Sequence, residues 1–149
     1  MKNMEEVNFL LQELEKKLKR NKNNSYSTLR KENLEKISKL YHVLELSKKH
    51  PDFSTIFNYK AMNLAGIGLK NEDFGEIRKG KYVQIISISY EVTSEGNRNL
   101  KNSSLGYYGK AEKLNEKDKN KIIEFVLRWR YEKSFQHSDY YQQLLDKLH

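Results

Sequence analysis

The chain has 149 residues, enough for one ordinary domain with its own hydrophobic core. It contains no cysteine, which excludes disulfide scaffolds, thiolate zinc sites, iron–sulfur clusters and cysteine nucleophiles. Its formal net charge is +8, with the excess in the first and last thirds, and this surplus suits a polyanion or an acidic protein partner.

The N-terminal end and the hydropathy pattern predict a cytoplasmic protein without a membrane partner. The first six residues are acidic where a secretion signal would be basic, and no apolar run follows them. The most apolar stretch, residues 83–90, is too short to span a bilayer. Lysine outnumbers arginine by 22 to 6, and this bias towards residues with A/T-rich codons indicates a bacterial or phage source.

Periodic apolar residues predict three helices in the first 66 residues. The first covers residues 3–20, with Asn3 as its cap, and the second covers residues 27–49, ending before Pro51. The third covers residues 52–65 and carries an apolar stripe that ends at two glycines: Phe53, Ile56, Phe57, Ala61, Leu64, then Gly66 and Gly68.

The middle of the chain changes to a period of two. Residues 81–93 alternate as a β-strand whose first half is predicted to be buried on both faces. Turn residues follow at 94–97, and a weaker strand within residues 98–108 completes a hairpin. A further strand near Ile77 is an additional prediction.

The last third returns to a helical pattern. Asn115 is predicted to cap a fourth helix, which is the best candidate for the most buried helix of the fold. Ser138 is predicted to cap a short final helix packed through its apolar stripe, formed by Tyr141, Leu144, Leu145 and Leu148.

The predicted fold class is therefore α+β and mainly helical, with about five helices and a short antiparallel β-hairpin between helices 3 and 4. One domain is expected over residues 1–149, helical in 1–66, β in 80–110 and helical in 115–149.

Two basic clusters suggest a non-catalytic nucleic-acid-binding protein, acting alone or as a small ribonucleoprotein subunit. Few arginines favour a protein that tracks the backbone of RNA or DNA rather than one that reads bases. The candidate binding residues are Lys16, Lys17, Lys19 and Arg20 in the first cluster, and Lys117, Lys121, Arg128, Arg130 and Lys133 in the second. The competing interpretation is a solvated helix face, because Glu116 and Glu124 lie among the second cluster and can pair with it.

A second function class is a protein-binding adaptor or inhibitor from a phage or mobile element. An inhibitor of a bacterial defence nuclease fits a small, basic chain without catalytic motifs. Its surface would then cover an acidic protein partner.

The only catalytic hypothesis with a stated mechanism concerns Arg130 and His137. Six residues separate them, a spacing that resembles the Arg-x(4–6)-His motif of HEPN ribonucleases. The resemblance implies that these two side chains bind and activate an RNA backbone. The family's polar residue after the arginine is Tyr131 here, and the β segment does not belong to that family.

No metal or cofactor is predicted. The four histidines, at positions 42, 50, 137 and 149, do not fall at metal-ligand spacings on one helix face. Gly66-Ile67-Gly68 lacks the third glycine of a dinucleotide fingerprint, and no phosphate-binding lysine loop occurs.

Overall fold

A computed structural model describes residue 5, residues 7–12 and residues 25–149. The chain divides into two compact units, residues 1–32 and residues 33–149. In the first unit, the described residues at positions 5 and 7–12 are helical and exposed. The rest of the predicted first helix lies outside the described residues, and the single-domain organisation stays a prediction.

Helix α1 spans Tyr26–Val43. Its start is capped by Ser25, whose Oγ accepts a 3.2 Å hydrogen bond from the backbone nitrogen of Thr28. The helix stops earlier than the predicted residue 49. Glu45 adopts a left-handed conformation with φ of 61°, and a 3-10 turn, Leu46–Lys48, follows it.

The predicted third helix over residues 52–65 is wrong. Asp52 caps a 3-10 helix, Phe53–Asn58, and the chain then forms strand β1, Ala61–Ala65. A short apolar run fits the helical period of about 3.6 as well as the strand period of two. Here Met62 and Leu64 are buried and alternate with less buried residues, as in a strand. Pairing with strand β2 decides the outcome, and the paired residues lie 19 to 27 positions apart in the sequence, from Ala65–Gln84 to Ala61–Ile88.

The predicted antiparallel hairpin is present, but it follows strand β1 instead of a third helix and belongs to a larger sheet. Strand β2 spans Tyr82–Val92 and strand β3 spans Arg98–Lys110. With β1 they form an antiparallel sheet in the order β1-β2-β3. Around Ile77, where a further strand was predicted, there is one isolated bridge to Ile67.

Strand β2 alternates regularly from end to end. The two register shifts against β3 place the extra residues on β3, so β2 keeps its period of two. Val83, Ile85 and Ser87 are buried, whereas Ile86 and Ile88 are half-buried. Burial of both faces, as predicted for the first half of this strand, is therefore wrong.

The two predicted C-terminal helices are one helix, α2, Glu116–Asp146. Asn115 caps it as predicted, with Oδ1 accepting a 2.8 Å hydrogen bond from the nitrogen of Asp118. Ser138 lies inside the helix, because no glycine or proline interrupts the stretch before it. The final stripe is exposed instead of packed, with Tyr141 63% and Leu148 76% exposed.

The core lies between α1, α2 and one face of the sheet. Among the described helices, α2 contributes the most buried residues, as predicted, and its Trp129 donates a 2.9 Å hydrogen bond from Nε1 to the carbonyl oxygen of Ile56. Residues from all three layers meet around it: Ile37 and Tyr41; Met62, Leu64, Val83, Ile85 and Leu105; Ile122, Phe125 and Val126. The mainly helical α+β class is thus confirmed.

In the part of the chain that the structure describes, no helix combines the length and apolar character needed to cross a membrane.

Candidate nucleic-acid interface

The first predicted basic cluster cannot be placed. Lys16, Lys17, Lys19 and Arg20 lie outside the described residues. The second cluster lies on α2, where Lys117 is exposed and Lys121 is half-buried.

Arg128 is held by its own neighbours. Its Nε lies 2.6 Å from Glu124 Oε2, and its Nη1 donates a 3.0 Å hydrogen bond to Asn33 Oδ1. The buried Asn33 returns a hydrogen bond from Nδ2 to the Arg128 carbonyl oxygen, at 3.0 Å. This arginine therefore joins α2 to α1, and Glu124 neutralises its charge.

Arg130 and Lys133 also make internal contacts. Arg130 donates from Nε and Nη2 to the Met62 carbonyl oxygen, at 3.1 and 3.0 Å. Lys133 Nζ donates to the Phe57 carbonyl oxygen at 2.9 Å and lies 5.7 Å from the Trp129 ring centroid. Both side chains tie α2 to the edge of the sheet and to the segment before it. His137, two turns beyond Arg130, is exposed.

A different surface collects aromatic and cationic side chains. Since β2 alternates regularly, the residues opposite Val83 and Ile85 point away from the core, as do their cross-strand partners. We call this the outer face. It consists of Ala61, Asn63 and Ala65 on β1; Tyr82, Gln84, Ile86, Ile88, Tyr90 and Val92 on β2; and Arg98, Leu100, Asn102, Ser104, Tyr107 and Lys110 on β3.

The outer face has no acidic member among these residues, all of which lie in described strands. By contrast, the cations Lys119 and Arg128 on α2 pair with Glu116 and Glu124 at 3.0 and 2.6 Å. Arg98 and Lys110 form no such close ion pair among the described residues, although the Glu112 carboxylate lies near enough to Lys110 to interact with its charge. Cations outside close ion pairs attract anions more strongly than paired cations do. The outer face is therefore a candidate surface for a polyanion.

One end of the outer face carries a pair of exposed tyrosines. Tyr82 and Tyr107 are 46% and 56% exposed, and their ring centroids lie 5.8 Å apart with an interplanar angle of 31°. Lys110 stands opposite Tyr82 in the β2–β3 register. Two adjacent rings beside a cation form a surface on which bases can stack.

The other end carries Tyr90 between two cations. Lys60 Nζ lies 4.7 Å from the Tyr90 ring centroid, and the Arg98 guanidinium carbon lies 4.6 Å from it. A hydrogen bond from Lys60, followed by the charges of Lys60 and Arg98, lowers the pKa of the Tyr90 hydroxyl below its ordinary value. The contacts hold an aromatic ring and two positive charges together on an exposed strand.

The stretch between the two ends is neutral. Ile86 and Ile88 lie in its middle and are half-buried. Neither isoleucine belongs to the core cluster. Amide and hydroxyl side chains border them on β1 and β3, namely Asn63, Asn102 and Ser104. Such groups both donate and accept hydrogen bonds.

Arg130 reaches the border of this surface from α2. Its Nη2 lies 3.2 Å from Oδ1 of Asn63, which is an outer-face residue on the edge strand β1. Of the α2 residues predicted to bind nucleic acid, Arg130 is thereby placed beside the outer face.

A groove lined largely by α2 is a separate concave feature of the described residues. It has a volume of about 830 Å³ and exposes apolar side chains of Phe74, Leu127 and Tyr131. Lys119 closes one wall by donating a 3.0 Å hydrogen bond to the Gly75 carbonyl oxygen. Lys119 and Arg128 in its lining are paired with glutamates, and Arg130, which also lines it, donates to the Met62 carbonyl oxygen.

Two partly buried tyrosines make packing contacts away from the outer face. Tyr59 and His50 share a hydrogen bond between the tyrosine hydroxyl and Nε2, and burial raises the pKa of Tyr59. Burial likewise raises the pKa of Tyr108, whose hydroxyl donates a 3.1 Å hydrogen bond to the Leu44 carbonyl oxygen. Among the described residues, no group of three or more histidine, aspartate or glutamate side chains could hold a metal ion.

The predicted basic clusters on helices do not include the outer-face tyrosines. Alternation in residues 81–93 predicts Ile86, Ile88 and Tyr90 on one face, and this signal was sufficient to group them. Whether helices cover that face is not encoded in the alternation. The alternation therefore predicts which residues share a face of β2, but it does not predict whether that face is exposed.

No protein-family model, curated protein or solved structure matches this chain significantly.

Proposed function

We propose that this protein binds single-stranded nucleic acid on the outer face of its sheet, without catalysing a reaction. The observation that carries the proposal is the combination on one face of exposed Tyr82, Tyr90 and Tyr107 with Arg98 and Lys110, and no carboxylate among them.

Each kind of side chain has a separate part in binding. Bases stack on the exposed tyrosine rings, and each such stacked base typically contributes about 1–3 kcal/mol. Lys60, Arg98 and Lys110 contact phosphates as cations, which supplies affinity without reading sequence. Asn63, Asn102 and Ser104 offer hydrogen bonds to bases or sugars along the neutral stretch.

A single strand fits this face better than a duplex does. Stacking on a protein ring requires an unpaired base whose flat surface is accessible, and a double helix stacks its bases on one another. The scarcity of arginine on this face also argues against reading base edges in a groove, where bidentate guanidinium contacts dominate.

The proposal is tested by fluorescence anisotropy with labelled 12-nucleotide oligomers of dT and of U at low salt. We expect saturable binding that weakens with salt, with log K falling against log salt at a slope near −2, as three phosphate contacts give roughly −0.7 each. The double variant Tyr82→Ala/Tyr107→Ala should weaken binding about tenfold or more.

Matched controls separate the outer face from the rest of the surface. Tyr140→Ala removes a ring that is 56% exposed on α2, and it should leave the affinity unchanged. Lys60→Gln/Arg98→Gln should weaken binding and lower the salt slope, whereas Lys117→Gln/Lys121→Gln on α2 should not. Absence of binding by the wild-type chain, or equal losses in both charge pairs, would refute the proposal.

The two alternative predictions are addressed by further arms of the same experiment. A protein-binding adaptor or inhibitor is favoured if neither oligomer binds, and the groove beside Phe74, Leu127 and Tyr131 is then the surface to mutate. A HEPN-like ribonuclease requires cleavage of the U oligomer that is lost in His137→Ala.

A further inference from the structure

We infer that the two ends of the outer face act as separate stacking stations that one strand must occupy together. This inference rests on the proposed function and adds to it a minimum ligand length. The first station is the pair of Tyr82 and Tyr107 with Lys110. The second is Tyr90 with Lys60 and Arg98.

The distance between the stations follows from strand geometry. Tyr82 and Tyr90 lie eight residues apart on a strand without a bulge of its own, which gives about 26 Å at roughly 3.3 Å per residue. A stretched single strand needs roughly five nucleotides for this span, near the lower limit of the about 4–16 nucleotides bound by other single-strand-binding folds.

The chemistry along the span separates the stations. Aromatic rings and cations occur at the two ends, while the middle rows carry Ile86, Ile88 and neutral polar neighbours. A dinucleotide or trinucleotide can stack at one end but cannot reach the other. A longer strand occupies both, and the second contact is then intramolecular, which raises the overall affinity.

The test is a length series of labelled oligo-dT of 2, 3, 5, 8 and 12 nucleotides, measured by anisotropy with the intact chain. We expect weak, similar affinities for the two shortest oligomers and a gain of about tenfold or more between 3 and 8 nucleotides. In Tyr90→Ala this gain should be lost for the longer oligomers. Affinity for the trimer should fall by no more than about twofold, since the first station remains intact.

Tyr140→Ala serves as the matched control and should reproduce the wild-type length dependence, with thermal melting confirming that both variants are folded. Binding of the 12-mer without a rise between 3 and 8 nucleotides would overturn the two-station inference and leave the proposed function standing. An equal loss of affinity in Tyr90→Ala at every oligomer length would also overturn the two-station inference and leave the proposed function standing. Failure of the 12-mer to bind the wild-type chain would overturn both.

Discussion

Arg130 on α2 donates two hydrogen bonds to the carbonyl oxygen of Met62 on β1, at 3.1 Å from Nε and 3.0 Å from Nη2. β1 is an edge strand, so this carbonyl has no strand partner on its outer side. The arginine thus satisfies a backbone acceptor and restrains the edge of the sheet against the central helix.

Arg130→Met should therefore destabilise the fold. It keeps the aliphatic stem and removes a charge-assisted, two-pronged contact, and we expect a loss of about 1–3 kcal/mol in the free energy of unfolding. Urea denaturation followed by Trp129 fluorescence measures this loss, because Trp129 is the single tryptophan and is buried.

Two further variants test the geometry of that contact. Arg130→Lys retains the charge but cannot donate two hydrogen bonds from a planar guanidinium, so it should recover only part of the stability. Lys117→Met, at an exposed position on the same helix, should change the free energy of unfolding by less than about 0.5 kcal/mol. Equal stabilities of Arg130→Met and the wild type would show that the contact between Arg130 and Met62 does not stabilise the fold.

Gly68→Ala should be severely destabilising. A Cβ at this position would lie 2.3 Å from the backbone oxygen of Asp73, which cannot move away as a flexible side chain would. Asp73 also receives hydrogen bonds from the Lys70 nitrogen at 2.9 Å and from Arg78 Nη2 at 3.2 Å, so the loop has little freedom to relax. We expect a loss of about 3 kcal/mol in the free energy of unfolding, comparable to overpacking a core.

Gly75→Ala in the same loop is the control for Gly68→Ala. It has a positive φ of 77° but open space around it, so its cost should stay near about 1 kcal/mol from backbone strain. Thermal and urea melts of the two variants decide the matter. Equal destabilisation by both variants would contradict the steric explanation.

Tyr90 should ionise at a lower pH than an ordinary tyrosine. The hydrogen bond and charge of Lys60, together with the charge of Arg98, favour the phenolate and lower its pKa. The difference in tyrosinate absorbance between the wild type and Tyr90→Phe isolates this transition during an alkaline titration. In Lys60→Met the same difference should move to higher pH, whereas in Lys117→Met it should stay where it is.

The same shift implies a pH dependence of stability with a defined sign. Because the folded-state pKa lies below the unfolded value of 10.0, ionisation of Tyr90 favours the folded chain. This contribution is absent at neutral pH, grows as the pH rises through the folded pKa, and is complete above the unfolded value. The unfolding free energy of the wild type relative to Tyr90→Phe should follow that course, and a decline over the same range would contradict it.

Several elements could be predicted from the sequence because their signals are local. Asn115 followed by Asp118 marks the start of α2, and the alternation around Ile86 marks β2. Residues 61–65 escaped prediction because Met62 and Leu64 fit a helical stripe as well as a strand, and only pairing with Ile85 and Ser87 makes them β. The supposed cap Ser138 is interior because a serine alone does not end a helix.

The candidate site likewise has features that are local in the sequence and features that depend on tertiary contacts. Lys117, Lys121, Arg128, Arg130 and Lys133 could be grouped by spacing along a helix, but spacing does not reveal what each cation contacts. In the folded chain Arg128 forms an ion pair with Glu124, and Lys133 donates a hydrogen bond to the Phe57 carbonyl oxygen.

By itself, the sequence determined which residues alternate on β2, where α2 begins, which residues of α2 are apolar enough to be buried, and that the charge is positive. The tertiary structure decided which side of the sheet the helices cover, and therefore that Tyr82, Tyr90 and Tyr107 remain exposed beside Arg98 and Lys110. The physical reason is that alternation and capping depend on neighbours within a few residues. Exposure and charge pairing depend on contacts such as Asn33 with Arg128 or Met62 with Arg130, between residues far apart in the chain.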